Sequence, residues 1–300
     1  MQTSSDCLPC FLRQARQVAQ LAGSNPVETT KIIQASERLL NTFSLELSPP
    51  ENAVALYSLL ARLTGIPDPF AALKKSSNLA ALALLPQLRE IIAASADPLL
   101  TAARLAIAGN VIDYGAQQDF DVEKAISACL ARTPAVDHFA WFRQRLARAK
   151  RILYLADNCG ELVFDRLFIE QLDKPVTLVV KARPIINDAL LVDAEECGLS
   201  EFCQVIDNTT GCPGTPLSAC GPDFQKLFRE ADLIISKGQG NFETLSETVA
   251  PLFFLLLVKC PVVAEHATTM SVLPPGSVQV GDLLMLSMEN TRVADHAYRL

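Results

Sequence analysis

From Arg151 onward the sequence becomes a series of short apolar runs separated by helical stretches, and this alternation limits the possible folds more than any other feature. The apolar runs fall at 152–156, 176–180, 204–206, 233–236 and 252–258. Between them, 162–172, 190–197, 223–230 and 242–249 read as helices. Apolar strands alternating with helices build βαβ units and a mostly parallel sheet. Residues 262–265 and 283–287 are expected to add two more strands.

The residues before Arg151 carry a different pattern. Apolar side chains recur at three- and four-residue intervals over 7–21, 27–43, 51–63, 79–94 and 99–112, as with Ile33, Leu40 and Phe43. Two further helices are expected at 122–132 and 136–149. Asn25-Pro26 and Ser48-Pro49-Pro50 open helices, and Gly23, Gly65 and Gly115 follow helix ends. The expectation is an α/β protein with a helical N-terminal lobe (1–145) packed on a Rossmann-like, mostly parallel sheet flanked by helices (146–300). The boundary is soft, near 133–150, and the two lobes read as one continuous unit.

Composition removes several function classes. A net charge of −7 with no basic run argues against a nucleic-acid surface, which needs clustered Lys and Arg. The longest apolar run, 249–258, contains Pro251 and is too short to span a bilayer. The first residues lack the pattern of a secretory leader, so nine cysteines point to a reducing cytoplasm and free thiols. His138, His266 and His296 are far apart, which makes a His-rich zinc site hard to assemble.

Four polar loops interrupt this apolar frame. Asp157-Asn158-Cys159-Gly160-Glu161 ends the first apolar run with a carboxylate beside an amide. Open α/β sheets bind ligands at such strand ends, and oxygen donors suit Mg²⁺ or Mn²⁺ better than zinc. The same residues also fit a plain cap for the helix at 162. Lys181 ends the next run and Asp188 follows seven residues later, as a second carboxylate ligand and a phosphate partner, or as an exposed lysine and a helix cap.

Lys237-Gly238-Gln239-Gly240-Asn241 places two glycines and a lysine between a strand and a helix, a backbone cradle for an anion. With Glu243 in the place of the third glycine it is not a dinucleotide fingerprint. In the helical lobe, Asn110 and Asp113 share a helix face after Gly109, either closing the site or forming a polar helix end.

Together these loops resemble the damage-control phosphatases, a metal-dependent family long described as a domain of unknown function, with the fold of a protein once taken for an acidic-residue methyltransferase. The resemblance runs from Cys7-Leu-Pro-Cys10 through AGNVIDYG, DNCGELVFD, KARPIIND and PGTPL to SKGQGNFETL, and the N-terminal Cys-x-x-Cys resembles the prokaryotic branch. It implies that Asp157, Asn158 and Asp188 bind a divalent metal (Mn²⁺, Co²⁺, Ni²⁺ or Mg²⁺). It implies catalytic roles for these three and Lys237. Lys237 and Lys181 would hold the substrate phosphate, with Gly238, Gly240, Asn241, Asn110, Asp113 and Glu161 around the substrate. Cys159 departs from the family pattern, which has Ala there.

The expected activity is hydrolysis of a phosphomonoester of a small metabolite, a sugar phosphate or a damaged phospho-metabolite, in metabolite repair. Glu161, Asp193 and Asp113 are the candidate general bases. A phosphoaspartate route needs a second Asp two residues after Asp157, where Cys159 stands. The alternatives are an S-adenosylmethionine-dependent carboxyl methyltransferase and a non-catalytic phospho-metabolite-binding module. Cys7 and Cys10 open a helix and leave packing, half of a metal site or a redox pair as readings.

Overall fold

The computed structural model of the protein describes residues 1–109 and 122–289. Its strands are β1 (Val136–Asp137), β2 (Ile152–Leu155), β3 (Val176–Val180), β4 (Gln204–Asp207), β5 (Leu233–Lys237), β6 (Leu252–Leu257) and β7 (Leu283–Ser287). They form one sheet in the order β1-β7-β6-β5-β2-β3-β4. All pairs are parallel except β6 with β7.

From β2 the chain moves outward through β3 to β4, then returns to β5 on the other side of β2 and continues to β6. The pair β2–β5, in register Leu155↔Ser236, is therefore where the winding reverses. In open parallel sheets a crevice opens at the C-terminal ends of such a pair.

Both strands of this pair are wholly buried, because helices cover both faces of the sheet. Ile152 and Tyr154 of β2 pack with Leu88, Phe142 and Phe168 under α4 (Ala71–Ala93), α7 (Phe139–Arg148) and α8 (Glu161–Leu172). Also on that face are α5 (Pro98–Ala108), α6 (Val122–Ala131) and α9 (Leu191–Glu196). Leu153 and Leu155, one residue out of phase, pack with Phe224, Phe242 and Val263 under α10 (Pro222–Glu230), α11 (Gln239–Leu245) and α12 (Pro261–Met270).

The first three helices have a core of their own. α1 (Leu8–Leu21), α2 (Pro26–Leu40) and α3 (Pro49–Thr64) bury Phe11, Val18, Ile32 and Leu56 together, and Ile185 from the loop after β3 joins them. That contact brings the helical bundle over the strand ends. Asn25 caps α2 through Val27 and Glu28 while Glu28 returns a bond to the Asn25 N–H, a complete capping box.

Four expectations change. Residues 262–265, read as a strand, lie in helix α12: Pro261 fixes its first turn, and Val263, Ala264 and Ala267 form its buried side. Residues 136–149 begin with the two-residue strand β1 on β7 before α7 starts at Phe139. Helix α4 starts at Ala71 rather than 79, because its first turns bury polar residues, Lys74, Ser77 and Asn78. Helix α11 is also shorter than expected, ending at Leu245.

Phe142 locks α7 to the sheet, with its ring 4.6 Å from that of Phe253 and 5.8 Å from that of Phe168. Truncating a fully buried aromatic leaves a cavity, so Phe142→Ala should cost about 3–5 kcal/mol in urea unfolding. A loss below about 1 kcal/mol would show that α7 is not held by this contact.

Candidate active site

The loops after β2 and β3 are joined by main-chain bonds. Ala189 N donates to Asp157 O (2.9 Å) and Cys159 N to Asn187 O (2.9 Å), while Asn158 and Asp188 face each other as an isolated antiparallel bridge. This short ladder brings Asp157, Asn158 and Asp188 together, although 30 positions separate Asn158 from Asp188. Asp157 and Asp188 are buried.

The orientation of the oxygens follows from their partners. Asn158 Nδ2 donates to Asp157 Oδ2 (3.1 Å) and to Glu161 Oε1 (2.7 Å), which leaves its Oδ1 as the free acceptor. Asp188 Oδ2 is buried without a hydrogen bond, and its nearest cation is Lys181 Nζ at 3.7 Å. Burial, and then the Glu161 carboxylate, push Asp157 up to about 6 against the opposing charges of Lys259, Lys181 and Lys237. Burial raises Asp188 as well, and Asp157 adds to it. An orphaned carboxylate oxygen beside a second raised carboxylate and an amide oxygen is chemically compatible with a cation.

Among the described residues no three His, Cys, Asp or Glu side chains converge as a ligand set. A cation here would rest on two carboxylates and one amide. That hard oxygen set fits Mg²⁺ or Mn²⁺, with positions left for water and substrate.

The two lysines lie deeper. Lys237 is fully buried, with its Nζ 2.7 Å from Asp165 Oδ1 and 3.1 Å from Glu161 Oε2. Burial alone would lower its pKa, but these two carboxylates outweigh that and raise it. Tyr154 also donates to Asp165 (2.7 Å), which completes a buried network under the Asp157 loop. Lys181 Nζ donates to Gly214 O (2.8 Å).

Asn241, fully buried, donates to Ala156 O and Lys237 O and accepts from Thr215, tying the ends of β2 and β5 to the 213–215 segment. Gly238, at φ 78°, has a second reason to be glycine, since a Cβ there would overlap the Asp157 carboxylate. A Cβ on Gly240 would overlap the Pro213 carbonyl. Each glycine of the expected cradle is thus required by close packing. Gly109 lets the end of α5 approach α8, since a Cβ would lie 3.3 Å from Glu161 Cα. Asn110 and Asp113 lie outside the described residues.

Above the loops opens a cavity of about 550 Å³, lined by Asp157, Asn158, Asp188 and Gly240 together with groups not singled out in the sequence. Two of these are Lys259 and Glu243. Burial pushes Glu243 up to about 7, so it can hold or release a proton near neutrality. Cys7, Cys10 and Cys260 also line the cavity, and all nine cysteines are free. Cys159 instead packs in the core, its thiol donating to Asp188 O (3.9 Å).

The family description for the damage-control phosphatase ARMT1-like domain matches residues 3–271, a span that includes every loop of this site. The chain belongs to that family. An uncharacterized protein of Methanocaldococcus jannaschii is 32% identical over 296 residues, covering 94% of each chain. A damage-control phosphatase of Pyrococcus horikoshii is 32% identical over 89% of this chain and 94% of its own length. The crystal structure described as a DUF89 family protein from Pyrococcus horikoshii superposes with a TM-score of 0.86 at 30% identity, covering 96% of this chain and 99% of that one. Among the described residues no helix is long and apolar enough to cross a membrane.

In this member of the ARMT1-like family, one buried residue couples the loops after β2 and β3 from outside. Asn78 of α4 accepts from Gly160 N (2.8 Å) in the first loop and donates to Asp193 Oδ1 (3.1 Å). Asp193 in turn accepts from Leu190 N (2.9 Å) after the second loop and pairs with Lys74 (3.4 Å). Asp193, a candidate base by sequence, is thus occupied in holding both loops. Asn78→Ala strands the buried Gly160 N–H and should cost about 1–3 kcal/mol in urea unfolding. Unchanged stability would mean that water replaces the amide there.

Proposed function

We propose that this protein is a metal-dependent phosphatase that hydrolyses phosphomonoesters of small metabolites, sugar phosphates or damaged phospho-metabolites. The observation that carries the reading is the convergence of Asp157, Asn158 and Asp188, with one Asp188 oxygen left without a hydrogen bond, at the strand ends where the sheet reverses. Relatives named as damage-control phosphatases support the reaction class.

Asp157, Asn158 and Asp188 would hold the divalent cation, which when bound supplies Lewis acidity toward a phosphate oxygen and lowers the pKa of water. The protein's own part is orientation and charge. Asn158 is fixed by Asp157 and Glu161, so its Oδ1 stays available. Lys237 offsets the Glu161 and Asp165 charges beneath the loop, which keeps the acidic floor from repelling an anion. Glu243 stands on the cavity wall as a proton-holding carboxyl for the leaving oxygen.

Two outcomes test this. In a phosphate-release screen over sugar phosphates and phosphorylated cofactor precursors, Mn²⁺, Co²⁺, Ni²⁺ or Mg²⁺ should be required. Asp157→Ala and Asp188→Asn should each lower kcat/KM by about 100-fold or more. Near wild-type turnover in either variant would remove the assignment.

The second outcome concerns pH. Folding raises the Asp157 pKa, so the metal-free fold loses stability as pH climbs from about 4 toward 6. A cation must displace the proton that Asp157 holds, so Mn²⁺ should raise the melting temperature progressively more between about pH 5 and pH 7. A pH-independent Mn²⁺ effect would place the metal elsewhere.

A further inference from the structure

The phosphatase reading uses none of the nine cysteines. Cys129, Cys159, Cys197, Cys212 and Cys220 are buried, and the Cys203 thiol donates to Leu199 O (3.4 Å). Cys7 and Cys10 are different. Both are half-buried, both line the cavity that holds Asp157 and Asp188, and they stand one turn apart at the start of α1.

The backbone brings the two within reach of each other. Cys7 (φ −76°, ψ −26°) and Leu8 (φ −59°, ψ −45°) are both helical. One helical turn separates Cα atoms three residues apart by about 5 Å, within the range of roughly 4.4–6.8 Å that a disulfide bridges. The β-carbons, about 5–6 Å apart on such a turn, must close to about 3.8 Å. Bridging therefore tightens the first turn of α1. A bridge under that strain is readily reduced, which suits reversible oxidation rather than a permanent staple.

The two sulfurs are not equivalent. Burial raises the Cys7 thiol, against a lowering contact from the Ser4 backbone. Cys10 Sγ accepts an N–H from Gln14 Nε2 (3.9 Å) and stands in the first turn of a 14-residue helix, whose end attracts an anion.

This turn is also joined to the loop after β3. Cys7, Leu8 and Ile186 pack together against the core of the first three helices, to which Ile185 belongs. Ile186 holds φ 44°, a costly conformation for a β-branched residue that its surroundings must maintain. Asn187 and Asp188 follow it directly. A tighter turn at Cys7 thus reaches Asp188 through Ile186.

We propose that Cys7 and Cys10 are a reversible oxidation site on the cavity wall, bridged by hydrogen peroxide, and that the bridge lowers phosphatase turnover. The Cys10 sulfur attacks peroxide, the O–O bond breaks, and one water leaves as Cys10 becomes a sulfenic acid. The Cys7 thiol then attacks that sulfur, the S–S bond forms, the S–O bond breaks, and the second water leaves. Two electrons pass from the sulfurs to the peroxide, and a dithiol reductant returns them with two protons. The effect on turnover rests on the phosphatase reading, whereas the bridge itself does not.

The test uses the full-length protein with Mn²⁺, before and after hydrogen peroxide. The disulfide is mapped by mass spectrometry after alkylation, and kcat/KM is measured on a substrate found in the screen. Peroxide should link Cys7 to Cys10 and lower kcat/KM by about fivefold or more, and dithiothreitol should reverse both. Cys10→Ser should match the reduced wild type in activity and keep that activity through peroxide. Cys7→Ser should accumulate a sulfenic acid on Cys10, trapped by dimedone. Peroxide that leaves both thiols free, or links either of them to Cys260 instead, overturns the proposal. So does a Cys7–Cys10 bridge that leaves kcat/KM unchanged. A wild type that releases phosphate from no substrate overturns the phosphatase reading, while the disulfide map still decides the oxidation site.

Discussion

Two buried carboxylates, Asp157 and Asp188, are held side by side by a main-chain ladder, and most of the surrounding structure serves that juxtaposition. Like charges in a low-dielectric interior repel strongly, and here both groups shift toward the protonated form. Such a pair persists only where the scaffold fixes it and a proton or a neighbouring positive charge relieves it. The fixing elements are rigid. β2 and β5 are buried on both faces, the loops bond backbone to backbone, and Asn78 and Asp193 clamp them from α4 and α9.

Beneath the pair, charge is balanced rather than removed. Lys237 stands between Glu161 and Asp165, and Tyr154 adds a hydroxyl to Asp165. Breaking a buried pair of this kind leaves an uncompensated charge, which costs about 3–5 kcal/mol. A lysine so tightly held is better suited to supporting the loop than to following a substrate. Gly238 completes the arrangement by letting β5 approach the Asp157 carboxylate without a Cβ between them. On the cavity wall, by contrast, Lys259 remains exposed.

Much of this was legible in the sequence. The run at 152–156 and the abrupt Asp157-Asn158 gave a strand end with oxygen donors, and the parallel sheet followed from the repeated alternation. The structure places Asp188 against Asn158, a position the sequence left open between a second carboxylate ligand and a helix cap. Other features were hidden for identifiable reasons. Lys74 and Asn78 lie on the inner side of a helix whose first turns are polar inside, so apolar periodicity does not reveal them. Lys259 and Glu243 sit in an apolar tail and in a short helix, and only the strand order brings them to the site. The burial of Lys237 depends on Asp165, a residue that reads in sequence as one more charge on a helix. Residues 262–265 looked like a strand because four residues cannot separate a strand from one side of a helix.

The central claim is that Asp157, Asn158 and Asp188 form a divalent-cation site. The most direct measurement is anomalous diffraction from crystals of the full-length protein soaked in Mn²⁺. The account predicts one strong anomalous peak within coordination distance of Asp157, Asn158 Oδ1 and Asp188. A peak at the Cys7, Cys10 and Cys260 thiols instead, or none at saturating Mn²⁺, would contradict it.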